Sequence, residues 1–113
     1  MIEIIKEKIS DAKLRAHLNN PFPEMIKFVV DVEKEILALG GEMHADAEEV
    51  LLEYGSEQKN LWGGNVYPDS KTEKIEYNSL INIRPSQNNR SLDIQDDFLK
   101  KKIKDIVYKL LPL

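Results

Sequence analysis

The run Leu39-Gly40-Gly41-Glu42-Met43-His44-Ala45-Asp46-Ala47-Glu48-Glu49 is where this chain must change from extended to helical backbone. Two adjacent glycines reach conformations closed to other residues, so an extended segment can stop there and turn sharply. Asp46 fits a helix N-cap, with Glu49 three residues on completing a capping box. Ala47, Val50, Leu51 and Tyr54 then recur at i, i+3, i+4, i+7, which predicts a two-turn amphipathic helix. Gly55 is its natural stop, because glycine enters the left-handed region without steric cost. A sharp strand-to-helix corner at the middle of a short chain favours a mixed fold over an all-helical or all-strand one.

The flanking segments extend that reading. Ile2, Ile5, Ile9, Ala12 and Ala16 recur at helical spacing, yet Ile2-Glu3-Ile4 can equally be a short strand, the preferred reading, followed by a helix with Ser10 as N-cap and Asp11 in its first turn. Pro21-Phe22-Pro23 closes this part. From Met25 to Val32, Ile26, Phe28, Val30 and Val32 alternate onto one face of a strand, with Val29 as the exception. Glu35 to Leu39 is close enough in sequence to pair with it as an antiparallel hairpin.

After the central helix, Leu61 to Tyr67 is extended. Gly63-Gly64 in its middle suggests a bulge or a close backbone approach. Ile75, Tyr77, Ile81 and Ile83 alternate against Glu76, Asn78, Asn82 and Arg84, the pattern of one long strand broken by Leu80. The asparagines of Pro85–Ser91 suit turn positions with positive φ. A terminal helix from about Asp97 to Leu111, capped by Asp96, presents Leu99, Ile103, Ile106, Val107 and Leu110 on one stripe. The sum is an α+β domain over residues 1–113, two-layered, with a ββαββα core. A four- or five-stranded, mostly antiparallel sheet carries its helices on one face.

At 113 residues, with 42% hydrophobic and 32% charged, the chain fits one globular domain with enough surface to bury for stability. It has no cysteine, which excludes disulfides, thiolate catalysis and cysteine-ligated metals and suits a cytoplasmic protein. No run of about twenty apolar residues occurs, so a membrane span is not expected. Asp31 to Glu53 holds eight acids and one lysine, leaving the rest of the chain at +3 within a total of −4. An acidic centre of this kind disfavours nucleic acid, whose phosphates need clustered Lys and Arg.

The pieces Phe28-Val29-Val30-Asp31-Val32-Glu33, Gly40-Gly41-Glu42-Met43-His44-Ala45-Asp46-Ala47-Glu48, Leu61-Trp62-Gly63-Gly64-Asn65 and Ser79-Leu80-Ile81-Asn82-Ile83-Arg84-Pro85 resemble a family of small microbial proteins. That family is catalogued only as a conserved domain of unknown function. With Asn89-Arg90-Ser91 and Ile94-Gln95-Asp96 the resemblance runs over nearly all of the chain from Met25 onward. It implies a compact domain and transfers no activity, cofactor, partner or site residue.

Three clusters carry candidate chemistry. Glu42, His44, Asp46 and Glu48, joined by Asp31 from the hairpin, offer oxygen and imidazole ligands to a divalent metal, or an acid–base pair to a metal-dependent enzyme. If the helix began nearer His44, then His44 and Glu48 would stand one turn apart. Capping accounts for the same carboxylates, so a structural histidine is the preferred reading and a metal is not favoured. Asn82, Arg84, Asn88, Asn89 and Arg90 can cradle an anion or small molecule, or pair with the acidic centre and shape a loop. Trp62 with Asn65 can form an aromatic surface, or Trp62 can fill the core. No nucleophile motif or phosphate-binding glycine loop is present. The reading is a small soluble binding or interaction module rather than an enzyme, with a sheet edge or the Trp62 region available for homo-oligomer formation.

Overall fold

The computed structural model describes residues 1–113. In chain order it contains β1 (Ile2–Ile5), α1 (Asp11–Arg15), β2 (Ile26–Asp31), β3 (Ile36–Gly40), α2 (His44–Tyr54), β4 (Leu61–Val66), β5 (Ile75–Glu76) and α3 (Asp97–Leu110). The five strands form one open antiparallel sheet in the order β1-β3-β2-β4-β5. The expected α+β class and antiparallel sheet are therefore present.

Several local signals act as anticipated. Ser10 caps α1 by accepting a hydrogen bond from the Lys13 amide at 3.1 Å. Asp96 caps α3, its Oδ1 accepting from the Phe98 and Leu99 amides at 2.9 and 3.3 Å. Gly55 ends α2 at φ 118°, and Asn88 takes φ 61° in its loop.

The layering differs from the expectation that helices cover one face. α3 packs on the face formed by Phe28, Val30, Leu37, Leu39 and Trp62, while α2 packs on the opposite face against Val29, Ile36, Ala38 and Leu61. The cause lies in β2 and β3, where Phe28-Val29-Val30 and Ile36-Leu37-Ala38-Leu39 are apolar at every position. Strands buried on both sides lose alternation, and Val29, the exception in the pattern, is the residue that faces α2.

Three other expectations are corrected. α2 begins at His44, not after Asp46, and its N-cap is Met43 at φ −131°, ψ 138° with no side-chain cap. Gly40 and Gly41, at φ 103° and 91°, complete the reversal early enough for His44 to be helical, so the Asp46–Glu49 capping box does not form. The bulge at Gly63-Gly64 is also absent, since β4 pairs with β2 without interruption from Ile26 opposite Val66 to Asp31 opposite Leu61. The close approach expected as the alternative is what these glycines serve: a methyl group on Gly63 would lie 2.7 Å from the Ser79 side chain, and one on Gly64 2.5 Å from the Phe28 ring.

The long strand over Ile75–Arg84 is the third. Only Ile75–Glu76 pairs as strand, and Leu80–Asn82 is a tight 3-10 turn whose cap, Ser79, accepts from the Ile81 amide. Side chains complete the edge of β4 beyond β5. Asn82 accepts from the Gly63 amide at 2.8 Å and donates to the Gly63 carbonyl at 2.9 Å, as a neighbouring strand would. Arg84 donates to the Leu61 carbonyl further along. The apparent alternation was two unrelated contacts, because Tyr77 packs with the α3-side core and Ile81 with the α2-side core.

Candidate functional site

On the α2 side of the sheet, the register places Lys27, Asn65 and Glu76 side by side on β2, β4 and β5. α2 stops short of covering them, and its first residue, His44, drops over β4. Only 8% exposed, His44 donates from Nε2 to the Gly64 carbonyl at 2.7 Å. A carbonyl only accepts, so the neutral ring carries its proton on Nε2 and keeps its lone pair on Nδ1. Burial pushes its pKa below the usual 6.5, partly offset by hydrogen bonding to Gly64 and Asn65, with Lys27 adding to the depression. His44 is neutral at pH 7.

Around this histidine lies a groove of about 320 Å³ lined by Lys27, Glu42, Met43, Ala45, Ser79, Leu80 and Leu92 among others. Its apolar walls stand in water: Leu80 is 76% exposed, Met43 58% and Leu92 45%. Lys27 is half-buried, forms no ion pair and rests only over the Phe22 ring, 5.4 Å from its centroid. Beneath, Asn65 donates to Glu76 at 2.9 Å and Tyr67 donates to the same oxygen at 3.2 Å, while Asn65 Oδ1 is buried without a partner. Burial raises the Tyr67 pKa, assisted by Glu76. Three larger depressions, about 540, 430 and 370 Å³, lie along Glu3–Ser10, beside Asn19–Pro21 and between Glu24 and Asp69, and are lined mostly by polar and charged residues.

The five residues of the expected metal cluster do not come together. Asp31 is fully buried opposite Leu61, three residues along β4 from the Gly64 that His44 contacts. Its carboxylate is already engaged by the Ser56 hydroxyl at 2.6 Å and the Glu33 and Lys34 amides at 2.9 Å, where it shapes the hairpin turn. Glu42 is exposed at the groove and Asp46 is exposed in the first turn of α2. Glu48 follows His44 by one turn, with a buried, unpartnered Oε2. No three His, Asp or Glu side chains converge to hold a metal ion.

The expected anion cluster is likewise committed elsewhere. Arg84 lies 4.3 Å from the Trp62 ring centroid, and its guanidinium donates to the carbonyls of Ile81, Gln58 and Leu61 and to Gln87. Asn82 holds β4, and Asn89, also buried, bridges the Asn82, Ser91 and Asp93 carbonyls and accepts from the Gln95 amide. Asn88 and Arg90 are exposed in the loop. The aromatic surface does not form, because Trp62 is 4% exposed and Asn65 is buried under the groove.

The family described as a protein of unknown function, DUF5674, matches residues 3–110. The chain belongs to this family. No curated protein and no solved structure matches it. Membership in DUF5674 therefore covers nearly the whole chain and leaves the groove to be read from its own chemistry. Sequence reading passed over Lys27, Met43, Ser79 and Leu92 there. The usable signal was Leu80, the apolar residue that broke the alternation because it points into water. No helix is long and apolar enough to cross a membrane.

Proposed function

We propose that this protein is a single-domain cytoplasmic binding module whose binding surface is the groove at the start of α2. The observation that carries the reading is the ring of exposed Met43, Leu80 and Leu92 around a buried histidine and a half-buried lysine. Binding sites are concave, chiefly apolar and supplied with a few placed polar groups, and about 320 Å³ lies at the small end of their range. Exposed apolar side chains gathered at one concavity cost solvation that a bound partner recovers.

The probe is the fluorescent anion 1-anilinonaphthalene-8-sulfonate, which has an aromatic body and one negative charge. Its fluorescence with the folded protein at neutral pH is expected to rise and saturate at one site per chain. Leu80→Asp, at a position too exposed to matter for folding, should abolish that saturable signal. Equal binding by wild type and Leu80→Asp would refute the assignment.

A further inference from the structure

We propose that the protein forms a symmetric homodimer in which β1 pairs antiparallel with β1 of a second copy, Ile4 facing its own counterpart across the twofold axis. The two edges of the sheet are finished differently. Beyond β5, the outer backbone of β4 is met by the side chains of Asn82 and Arg84. Beyond β1 there is no strand, and a depression of about 540 Å³ runs along Glu3–Ser10.

The ladder determines which β1 groups are free. The Gly63 amide and carbonyl turn to Asn82, away from β2, and the Val32 amide donates to the Asn60 carbonyl. Bonding direction alternates residue by residue in antiparallel strands, so Phe28 and Val30 bond to β4 while Val29 and Asp31 bond to β3. On β3, Ala38 opposite Val29 is spent on β2, and Leu37 and Leu39 bond to β1 through Ile5 and Glu3. Ile2, Ile4 and Lys6 are left with N–H and C=O directed outward, and these groups have no other backbone partner. Such a row is completed by another strand.

A second copy supplies one, and charge selects its register. Facing residues must both be outward-bonding, so the twofold axis can pass Glu3, Ile4 or Ile5. The axis at Glu3 sets it against Glu3 of the partner subunit, and the axis at Ile5 sets Glu3 against Glu7 of the partner subunit. Like charges directly opposite are destabilising. The axis at Ile4 avoids both and alone pairs all of Ile2, Ile4 and Lys6. It also brings together Ile2 and Ile4 of the two copies on the α2 side, where both are only partly buried. Lys6 lies on that side too, 5.1 Å from the Tyr54 ring centroid, and meets Ile2 of the partner subunit.

So short a pairing gives a concentration-dependent dimer, and sedimentation velocity of the whole chain from about 10 μM to about 1 mM should show the shift from monomer to dimer. A monomer throughout overturns the proposal. Ile2→Lys sets two lysines against Lys6 of each partner and should weaken the dimer about tenfold; adding Lys6→Glu makes the facing charges opposite and should restore it. A folded double variant no more dimeric than Ile2→Lys refutes this register. Amide exchange on the wild type needs no variant: the Ile2, Ile4 and Lys6 amides should slow together as concentration rises. A dimer in which these amides stay fast uses another surface and overturns the proposal.

Discussion

Replacing Asn82 tests whether a side-chain amide stands in for a β-strand. Asn82 is fully buried and meets both the amide and the carbonyl of Gly63, with further donation to the Tyr77 and Leu92 carbonyls at 3.2 Å. Asn82→Ala leaves the buried Gly63 N–H and C=O without partners and opens a small cavity. An unsatisfied buried polar group costs about 1–3 kcal/mol, so two of them with partial relaxation come to about 3–5 kcal/mol. Against a total stability of about 5–15 kcal/mol, this is a large share, and it lowers Tm by about 12–20 °C in a domain of this size. Urea unfolding followed through the fluorescence of the single, buried Trp62 measures it directly. Asn82→Asp separates hydrogen bonding from volume. It keeps the shape but turns a carboxylate oxygen toward three carbonyls, so it should be at least as damaging at neutral pH. A loss below about 1 kcal/mol for Asn82→Asp would refute the strand-mimic reasoning, because shape alone would then account for the residue.

Two further outcomes follow from the same packing. Gly63→Ala places a methyl group 2.7 Å from the Ser79 side chain and 3.2 Å from His44 Cδ2, and overpacking of this kind should cost about 1–3 kcal/mol in thermal unfolding; an unchanged Tm would contradict the close approach. His44 should titrate below 6.5 by NMR, with Lys27, Gly64 and Asn65 the groups that face it. The unfolded imidazole takes up a proton near pH 6.5 while the folded one does so only at lower pH, so stability falls as pH drops below about 6.5 and stops falling on this account once the folded group is protonated. His44→Gln should flatten that slope, and an NMR midpoint at or above 6.5 would defeat the account.

What was legible in the sequence is what a few neighbouring residues decide among themselves. Ser10 and Asp96 cap their own helices, Gly55 ends α2, Asn88 takes the left-handed turn, and the α3 stripe of Ile103, Ile106, Val107 and Leu110 faces the core. The β2–β3 hairpin joins segments so close that no other pairing competes. Each of these depends on period, capping or chain connectivity, which the sequence carries explicitly.

Tertiary structure alone decided the rest. Asn82 and Ile81 sit in a stretch whose alternation reads as strand, yet the site 19 residues away at Gly63 claims the Asn82 amide and the α2-side core claims Ile81. Helices cover both sheet faces because β2 and β3 are apolar throughout, and a run of apolar residues does not say which face each will meet. His44, Lys27 and Leu80 come from three separate segments and meet only through the register of β2 with β4 and the close approach of Ser79 to Gly63. A side chain's donors and acceptors are written in the sequence, but which of them remain unmet depends on every other group the fold brings within reach.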